Sequence, residues 1–194
     1  MNKTHLVIGS LCFLLQSCYN YGPTHTPYEV KPQKHNLSPP PTKIVAAPLT
    51  KNEYINKAYK EFKSSLQEAE VDLINDSIKI LFPKNILYNP KEESPSSDYM
   101  YPLEKLSRLL KKYTKTNIII AGHTDNKGKQ EMNRAISQNR ADKIKTILID
   151  FGCFADRFKT FGMGDISPIA DNATEEGRTI NRRVEFIVLY RDEK

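Results

Sequence analysis

The sequence has no hydrophobic run long enough to cross a membrane, and this limits how the chain can meet a bilayer. Its longest apolar stretch, LVIGSLCFLL, covers residues 6–15 of a chain of 194 residues. A spanning helix needs about 20 apolar residues. The stretch follows a short amino-terminal segment that contains Lys3. Because a basic start and a short apolar segment are typical of secretory leaders, we predict a signal peptide over residues 1–17.

The sequence also lacks a basic stripe and an aromatic RNA-binding motif. Lysine and arginine total 29 against 23 acidic residues, for a net charge of +6, but they are scattered along the chain. Nucleic-acid-binding domains concentrate basic residues on one face or in one motif, so we predict no nucleic-acid partner. A positive balance also suits anionic lipid or cell-wall polymer, and these partners stay open.

Cysteine is scarce, with three residues in the whole chain. Residues 15–18 read LQSC, which resembles the lipoprotein box of bacterial lipoproteins and would make Cys18 the acylated amino terminus. The competing interpretation is ordinary secretory cleavage near Ser17. If the chain is a lipoprotein, Cys12 is removed and Cys18 carries the lipid. Cys153 then has no partner for an intramolecular disulfide, and a small core residue is the simplest role for it.

The segment after Cys18 predicts where an anchored chain would sit. In lipoproteins that this pattern resembles, Asp after the cysteine commonly retains the protein in the inner membrane, but here Tyr19 follows. We therefore expect an outer-membrane, lipid-anchored protein that faces the periplasm. Residues 19–50 hold seven of the twelve prolines and no strong apolar period. This composition predicts an extended tether, so that residues 18–50 form the lipidated cysteine and a linker.

Apolar spacing predicts an α/β (α+β) fold after the tether. Thr50 and Glu53 fit a capping box at the start of a helix over residues 51–75. Helical and alternating patterns then follow in the order βαβαββ, which implies a two-layer sandwich with helices on one face of a sheet, preceded by the extra amino-terminal helix. The predicted strands cover 77–82, 117–121, 157–162 and 184–189, and the predicted helices 98–113 and 132–151. Ile136 is among the residues expected to face inward.

Several short blocks occur in a fixed order along this part of the chain. They are GHTDN at 122–126, MN at 132–133, IS at 136–137, RA at 140–141, GMGD at 162–165, PIADN at 168–172 and GRTINRRVE at 177–185. Together they resemble the peptidoglycan-binding domain at the carboxyl terminus of OmpA-like porins, of Pal-type lipoproteins and of flagellar stator proteins. The resemblance covers about residues 76–190 and implies the OmpA C-terminal-like type of sandwich.

The resemblance implies non-covalent binding of the diaminopimelate residue of the peptidoglycan stem peptide. It assigns the key acid to Asp125, the key arginine to Arg140 and a supporting polar position to Asn133, while Thr124 and Asn126 can add hydrogen bonds from the loop. The free end of diaminopimelate carries an ammonium and a carboxylate on one carbon. An acid can accept from the ammonium, and an arginine can offer a two-pronged contact to the carboxylate.

Alternative roles remain for several of these residues. Asp125 could pair with Arg140 in a structural ion pair, since such pairs are common. Residues 181–183 could brace the loops before the last strand, or one arginine could touch the glycan. We expect Arg140 on the helix surface. Many relatives carry an acid after the position of Phe82, whereas Pro83 and Lys84 follow here, which puts the wall affinity in doubt.

Enzymatic interpretations have little support in the sequence. His123 is the only histidine within residues 76–190, so a site with two histidine ligands for a metal is not available there. A triad of Ser137, His123 and Asp125 can be drawn, but no nucleophile-elbow motif surrounds the serine. We therefore predict no catalytic residues, no metal and no cofactor.

Two functions from different classes remain. The first is a lipoprotein that anchors the outer membrane, or an envelope complex, to peptidoglycan. The second is a structural subunit that uses the same fold mainly for protein contacts, as in the outer-membrane complex of a Dot/Icm type IVB secretion system, which this combination of lipoprotein and domain resembles. The helix after residue 50 and the altered residues 83–84 favour the second function somewhat. The tether fits both.

Overall fold

The computed structural model describes residues 48–82 and 100–192. The predicted signal peptide, the lipidation site Cys18, nearly all of the proline-rich tether and residues 83–84 lie outside the described residues. Within the described ranges, no helix has both the length and the apolar character that a membrane span needs.

The described part of the chain forms a five-stranded sheet and four helices, which confirms the mixed α+β class. The strand order in the sheet is β1-β2-β5-β3-β4; β3 and β4 are parallel, and the other neighbours are antiparallel. A 3₁₀ turn at Ala155–Arg157 precedes β4. The elements are α1 Lys51–Ser65, β1 Glu70–Ile74, β2 Ser77–Leu81, α2 Met100–Lys112, β3 Thr116–His123, α3 Gln130–Asp150, β4 Phe158–Gly164, α4 Glu175–Asn181 and β5 Val184–Tyr190.

The helix predicted over residues 51–75 is wrong in its second half. The capping box at its start is confirmed, with Thr50 and Glu53 bonding each other's backbone N–H groups. The helix ends at Ser65, and residues 70–74 form the edge strand β1. Asn75 has a positive φ of 53° and turns the chain into β2. An alternating segment before an Asn-Asp turn is the signature of a hairpin, and here it overrides the helical spacing.

The long helices all pack on one face of the sheet, as the sequence predicts. Fully buried side chains from α1, α2 and α3 meet those of the inward positions of the strands in one core; they include Phe62, Leu106, Leu110, Ile118, Ile144 and Phe186. Inward residues of β3 and β5 alternate with partly exposed residues on the other face. The sheet therefore has one covered face and one face that α1, α2 and α3 leave open.

The amino-terminal half of α3 lies directly on glycines of β3 and β4. A Cβ atom at Gly122 would lie 2.1 Å from the carbonyl oxygen of Ser137, and one at Gly162 would lie 2.4 Å from that of Arg134. Only glycine allows the helix backbone to come so close. Ile136 was predicted to face inward, but it is exposed. The reason is that Ser137, rather than Ile136, faces the glycines in this part of the helix.

The buried side chain of Arg157 binds backbone carbonyl groups at the amino-terminal end of β3. Its guanidinium donates to the carbonyl oxygens of Leu110, Tyr113 and Thr116 at 2.8–2.9 Å. It also donates to the hydroxyl of Thr116 at 2.7 Å. Arg157 thus satisfies carbonyl groups at the carboxyl end of α2 and at the start of β3, and it ties the 3₁₀ turn to both elements.

Candidate functional site

The candidate site lies where β3 ends. The strand predicted over residues 117–121 runs on to His123, whose N–H donates to the carbonyl of Arg183 at 2.9 Å. The N–H of Thr124 donates to the carbonyl of Gly164 at 2.9 Å. The chain is therefore fixed on both sides up to Thr124, and Asp125 is the first residue beyond the sheet.

The carboxylate of Asp125 is buried and has two partners. Its Oδ1 accepts from the backbone N–H of Lys127 at 2.9 Å, and its Oδ2 accepts from Nη1 of Arg182 at 2.6 Å. Arg182 was treated above as a bracing residue or a glycan contact, and its link to Asp125 was missed. The two residues are 57 positions apart in the sequence. No local pattern could have paired them.

Arg140 comes from α3 and contacts the same segment from the other side. Its Nη1 donates to the carbonyl of His123. Arg140 was expected on the helix surface, but only 5% of it is exposed. Asn133, two turns earlier on the same face of α3, donates through Nδ2 to the carbonyl of Asp125 at 3.3 Å. The structure thus brings Asp125, Arg140 and Asn133 together around the three residues 123–125.

Thr124 and Asn126 complete the predicted set and differ in their surroundings. The N–H of Asn126 donates to Oδ1 of Asn172 at 3.3 Å, so this loop is tied to the segment before α4. The Oγ1 atom of Thr124 is buried and has no hydrogen-bond partner among the described residues. A buried hydroxyl without a partner is unfavourable for stability, and it leaves hydrogen-bonding capacity at the end of β3.

Helix α4 brings a second group of charges to the site and was not predicted. Thr174 caps it by accepting from the N–H of Gly177, and Glu175 and Glu176 occupy its first turn. Thr followed by two acids is a helix-start signal that could have revealed it. Glu175 accepts from Arg182 at 2.9 Å and from Arg178 at 2.7 Å. These hydrogen bonds, that of Arg182 first, lower the pKa of Glu175 to about 2.

The other members of the last motif brace the loops before β5. Oδ1 of Asn181 accepts from the N–H groups of Ile169 and Ala170 at 2.8 and 3.0 Å. Arg183 donates to the carbonyl of Ser167 at 3.0 Å and forms an ion pair with Glu185. Bracing is the interpretation that the structure supports for Asn181 and Arg183.

The hydroxyl of Ser137 is engaged with the backbone. It donates to the carbonyl of Arg134 and accepts from the N–H of Gly164, both at 2.9 Å. It therefore serves to hold α3 against the end of β4. Within the described ranges, no three His, Cys, Asp or Glu side chains come together as a metal site would require.

The geometry of the site fits a ligand that carries both charges. The carboxylate of Asp125 lies in the loop after β3, and the guanidinium of Arg140 reaches the end of β3 from α3. Arg182 contacts Asp125 and forms an ion pair with Glu175. A group with an ammonium and a carboxylate on one carbon needs an acceptor and a planar donor at close range. The end of β3 carries an acceptor in Asp125 and a planar donor in Arg140.

Comparisons with known proteins agree with this fold. A relative named "Probable lipoprotein YiaD" from Escherichia coli is 36% identical over 111 residues, which are 57% of this chain and 51% of that protein. "Peptidoglycan-binding protein ArfA" from Mycobacterium bovis is 40% identical over 86 residues, 44% of this chain and 26% of that protein. Such alignments span about a quarter to a half of the length of the curated relatives.

A solved structure shows the same fold over most of its length. The cell wall anchor of the T6SS from Pseudomonas aeruginosa superposes with a TM-score of 0.59 and 26% identity, covering 70% of this chain and 96% of that one. Residues 96–182 match the sequence model of the OmpA family. This range contains Asp125, Asn133, Arg140 and Arg182. The chain therefore contains an OmpA-like domain.

Proposed function

We propose that this protein is an outer-membrane lipoprotein that binds peptidoglycan non-covalently and anchors the outer membrane, or an envelope complex, to the cell wall. The ligand is the diaminopimelate residue of the stem peptide. The similarity to a protein named for peptidoglycan binding and to a cell wall anchor supports this function. The chemistry of the strand end supports the ligand.

One observation carries the proposal: an acid and an arginine are held on the same three-residue segment. Arg140 donates to the carbonyl of His123, and Asp125 lies two residues further on. In the proposed complex, Asp125 accepts from the ammonium of diaminopimelate and Arg140 donates to its carboxylate. Both charges are largely shielded from water, which strengthens each contact relative to an exposed pair.

Neighbouring residues fix the position of Asp125. Asn133 holds the carbonyl of Asp125, and Arg182 holds its side chain through Oδ2. Because Arg182 is itself held by Glu175, the carboxylate of Asp125 keeps one orientation before the ligand arrives. Thr124 supplies a hydroxyl that has no partner among the described residues. The loop at Asn126 is held by its hydrogen bond to Asn172.

The proposed anchor explains how wall binding would reach the membrane. Acylated Cys18 would hold the amino terminus in the outer membrane, because several acyl chains anchor stably where one does so only marginally. The proline-rich tether would then let the OmpA-like domain reach the wall from the membrane surface. No residue of the tether takes part in the proposed chemistry.

Co-sedimentation of the detergent-solubilised full chain with diaminopimelate-containing sacculi tests the binding site. We choose Asp125→Asn and Arg140→Lys because both side chains are buried, so alanine would also disturb packing. Each variant loses one charge-assisted contact of roughly 1.5–3 kcal/mol, and the affinity should fall about ten- to a hundredfold. Arg134→Lys is the matched control, since Arg134 is an exposed arginine on the same helix.

The outcome separates a binding site from a structural one. Loss of sedimentation in Asp125→Asn and Arg140→Lys, with retention in Arg134→Lys and unchanged circular dichroism, supports the proposal. Sedimentation of both site variants at the strength of the unmodified chain would show that these residues do not hold the wall.

Lipid attachment is tested separately with a palmitate analogue. Cells that produce the unmodified protein should label it, and cells that produce Cys18→Ser should not. The labelled protein should fractionate with the outer membrane. Equal labelling of both forms would refute the lipoprotein assignment, and recovery in the inner membrane would refute the location.

A second candidate function is a structural subunit of an envelope machine such as a type IVB secretion complex. The fold shared with the cell wall anchor of the T6SS favours it, since that protein anchors an assembly. Purification of outer-membrane complexes from cells with and without the protein distinguishes the two functions. Stable co-purification with secretion-complex proteins, retained in Asp125→Asn, supports the second candidate; recovery with the wall alone supports the first.

A further inference from the structure

The open face of the sheet contains a groove of about 400 Å³ that the proposed wall site does not use. It crosses four strands and continues under residues 167–169. Its walls are mostly apolar, formed by Ile119, Ala121, Phe161, Met163, Ile169 and Ile187. Phe161 and Ile169 are about half exposed, although both are large apolar side chains. The volume lies in the range of sites that hold a small ligand or a side chain.

A charged cluster lies in one wall of this groove. The carboxylate of Glu185 is buried. Its Oε2 lies 2.9 Å from Nζ of Lys79, and its Oε1 accepts from Nε of Arg183 at 2.8 Å. Each guanidinium nitrogen of Arg183 has a partner: Nε donates to Glu185, and Nη1 and Nη2 donate to the backbone carbonyls of Asn181 and Ser167. The side chain of Lys79 is about a third exposed. Two cations against one anion leave the groove with a surplus positive charge at Lys79.

His123 is the second observation that points to a ligand. Its side chain lines the groove and is 3% exposed, yet neither ring nitrogen has a hydrogen-bond partner among the described residues. The Oε1 atom of Glu185 lies 3.8 Å from Nε2 of His123. Burial first, and then the charge of Arg183, lower the pKa of His123 to about 4. The neutral ring therefore offers one donor and one acceptor.

We propose that this groove binds an extended segment of a partner protein in which an apolar residue is followed by an acidic one. The apolar walls match the apolar side chain, and the free ammonium hydrogens of Lys79 match the carboxylate. A peptide backbone presents both an acceptor and a donor, which could serve as partners for the two ring nitrogens of His123. The proposal is independent of peptidoglycan binding, because Lys79 takes no part in the proposed wall site.

The test uses the dipeptide acetyl-Leu-Asp-amide as the probe and acetyl-Leu-Asn-amide as its neutral isostere. The full chain, labelled with ¹³C-histidine and solubilised in detergent, is observed by NMR. His123→Gln identifies the resonance of His123, because that signal is missing from the spectrum of the variant. We expect the acidic probe to shift the His123 resonance with millimolar affinity, and the neutral isostere to bind at least about fivefold more weakly.

Two lysine variants locate the carboxylate contact. Lys79→Met retains the apolar stem but removes the ammonium, and binding of the acidic probe should weaken about fivefold. Lys159→Met is the matched control, because Lys159 is an exposed lysine on the same face of the sheet, in the edge strand β4, and does not line the groove. It should bind the acidic probe like the unmodified chain.

Three results would overturn the proposal. They are an unchanged His123 resonance at up to about 10 mM acidic probe, equal binding of the acidic and neutral probes, and equal weakening by the Lys79 and Lys159 variants. A shift of His123 that requires both the Asp side chain and Lys79 supports it.

Discussion

The two ends of β3 are built from similar residues and differ in how completely their polar groups are satisfied. At the amino-terminal end, the hydroxyl of Thr116 donates to Tyr113 and accepts from Arg157, whose guanidinium meets three carbonyl groups. At the carboxyl-terminal end, the hydroxyl of Thr124 and both ring nitrogens of His123 have no hydrogen-bond partner among the described residues, although they are buried.

This difference separates stability from function along one strand. A polar group that is buried and fully bonded stabilises the fold, whereas one that is buried without a partner destabilises it. The amino-terminal end of β3, which we call the closed end, therefore stabilises the fold. At the carboxyl-terminal end, which we call the open end, the hydroxyl of Thr124 keeps hydrogen-bonding capacity beside Asp125 and Arg140, where we propose that the wall peptide binds. The ring of His123 lines the groove on the open face of the sheet instead.

The largest effect is expected at the closed end. Arg157→Met retains most of the side-chain volume but removes every donor, so three buried carbonyl groups lose a partner. The free energy of unfolding should fall by about 3–5 kcal/mol, measured by urea denaturation. The fraction that remains folded should bind sacculi normally. A loss below about 1 kcal/mol would show that Arg157 does not close this end.

A pH dependence should identify the buried histidine at the open end. The pKa of His123 is about 4 in the folded chain against 6.5 for the free side chain, so the unfolded chain binds more protons in between. Stability should therefore fall as the pH drops from 6.5 towards 4, by about 2 kcal/mol between pH 7 and pH 5.

The control for this pH dependence is His123→Gln, which cannot titrate and should lose most of the slope in that range. Burial raises the pKa of Glu185, but the hydrogen bonds and charges of Lys79 and Arg183 together outweigh it and lower the pKa, so the contribution of Glu185 is lost only at more acidic pH, below 4.5. Equal slopes for the unmodified chain and His123→Gln would contradict the assignment.

A matched pair of threonine variants compares the two ends directly. Thr116→Val removes a hydroxyl with two partners and should destabilise the chain by about 1–2 kcal/mol. Thr124→Val removes a hydroxyl without a partner among the described residues and should leave stability within about 0.5 kcal/mol, or raise it. Thermal unfolding of both variants measures the difference. If Thr124→Val costs as much as Thr116→Val, the open end is satisfied in solution.

The smallest effect concerns the ion pair at the open end. Asp125→Asn and Arg182→Gln, singly and together, form a double-mutant cycle whose coupling energy in urea denaturation should be about 1 kcal/mol. The pair is partly buried, so the coupling should exceed that of the exposed pair between Asp156 and Arg191. Coupling no larger than in this control pair would mean that Arg182 does not position Asp125.

The sequence predicts the positions of the two main residues of the site better than it predicts the contacts around them. Asp125 could be placed at a strand end because an apolar run stops just before it, and Arg140 could be placed on the next helix. Arg182 was missed because its contact with Asp125 depends on how α4 packs, which no local pattern describes. The burial of Arg140 was also missed, since it follows from the close approach of α3 to Gly122 and Gly162.

The edge strand β1 shows a different limit. Residues 69 and 73 continue the helical spacing of α1, while residues 70–74 also alternate as a strand does. Both patterns are present, and tertiary pairing with β2 decides between them. The turn at Asn75 was the local signal that favoured the strand.

The most direct test of the central claim is the affinity of the full chain for two stem tripeptides, measured by calorimetry. One ends in meso-diaminopimelate and the other in lysine, which has the ammonium but lacks the carboxylate beside it. The diaminopimelate peptide should bind at least about tenfold more tightly. Arg140→Lys should lower this preference, because lysine keeps the charge but cannot make the two-pronged contact to the carboxylate. Equal affinity for the two peptides would contradict recognition of a paired ammonium and carboxylate at the end of β3.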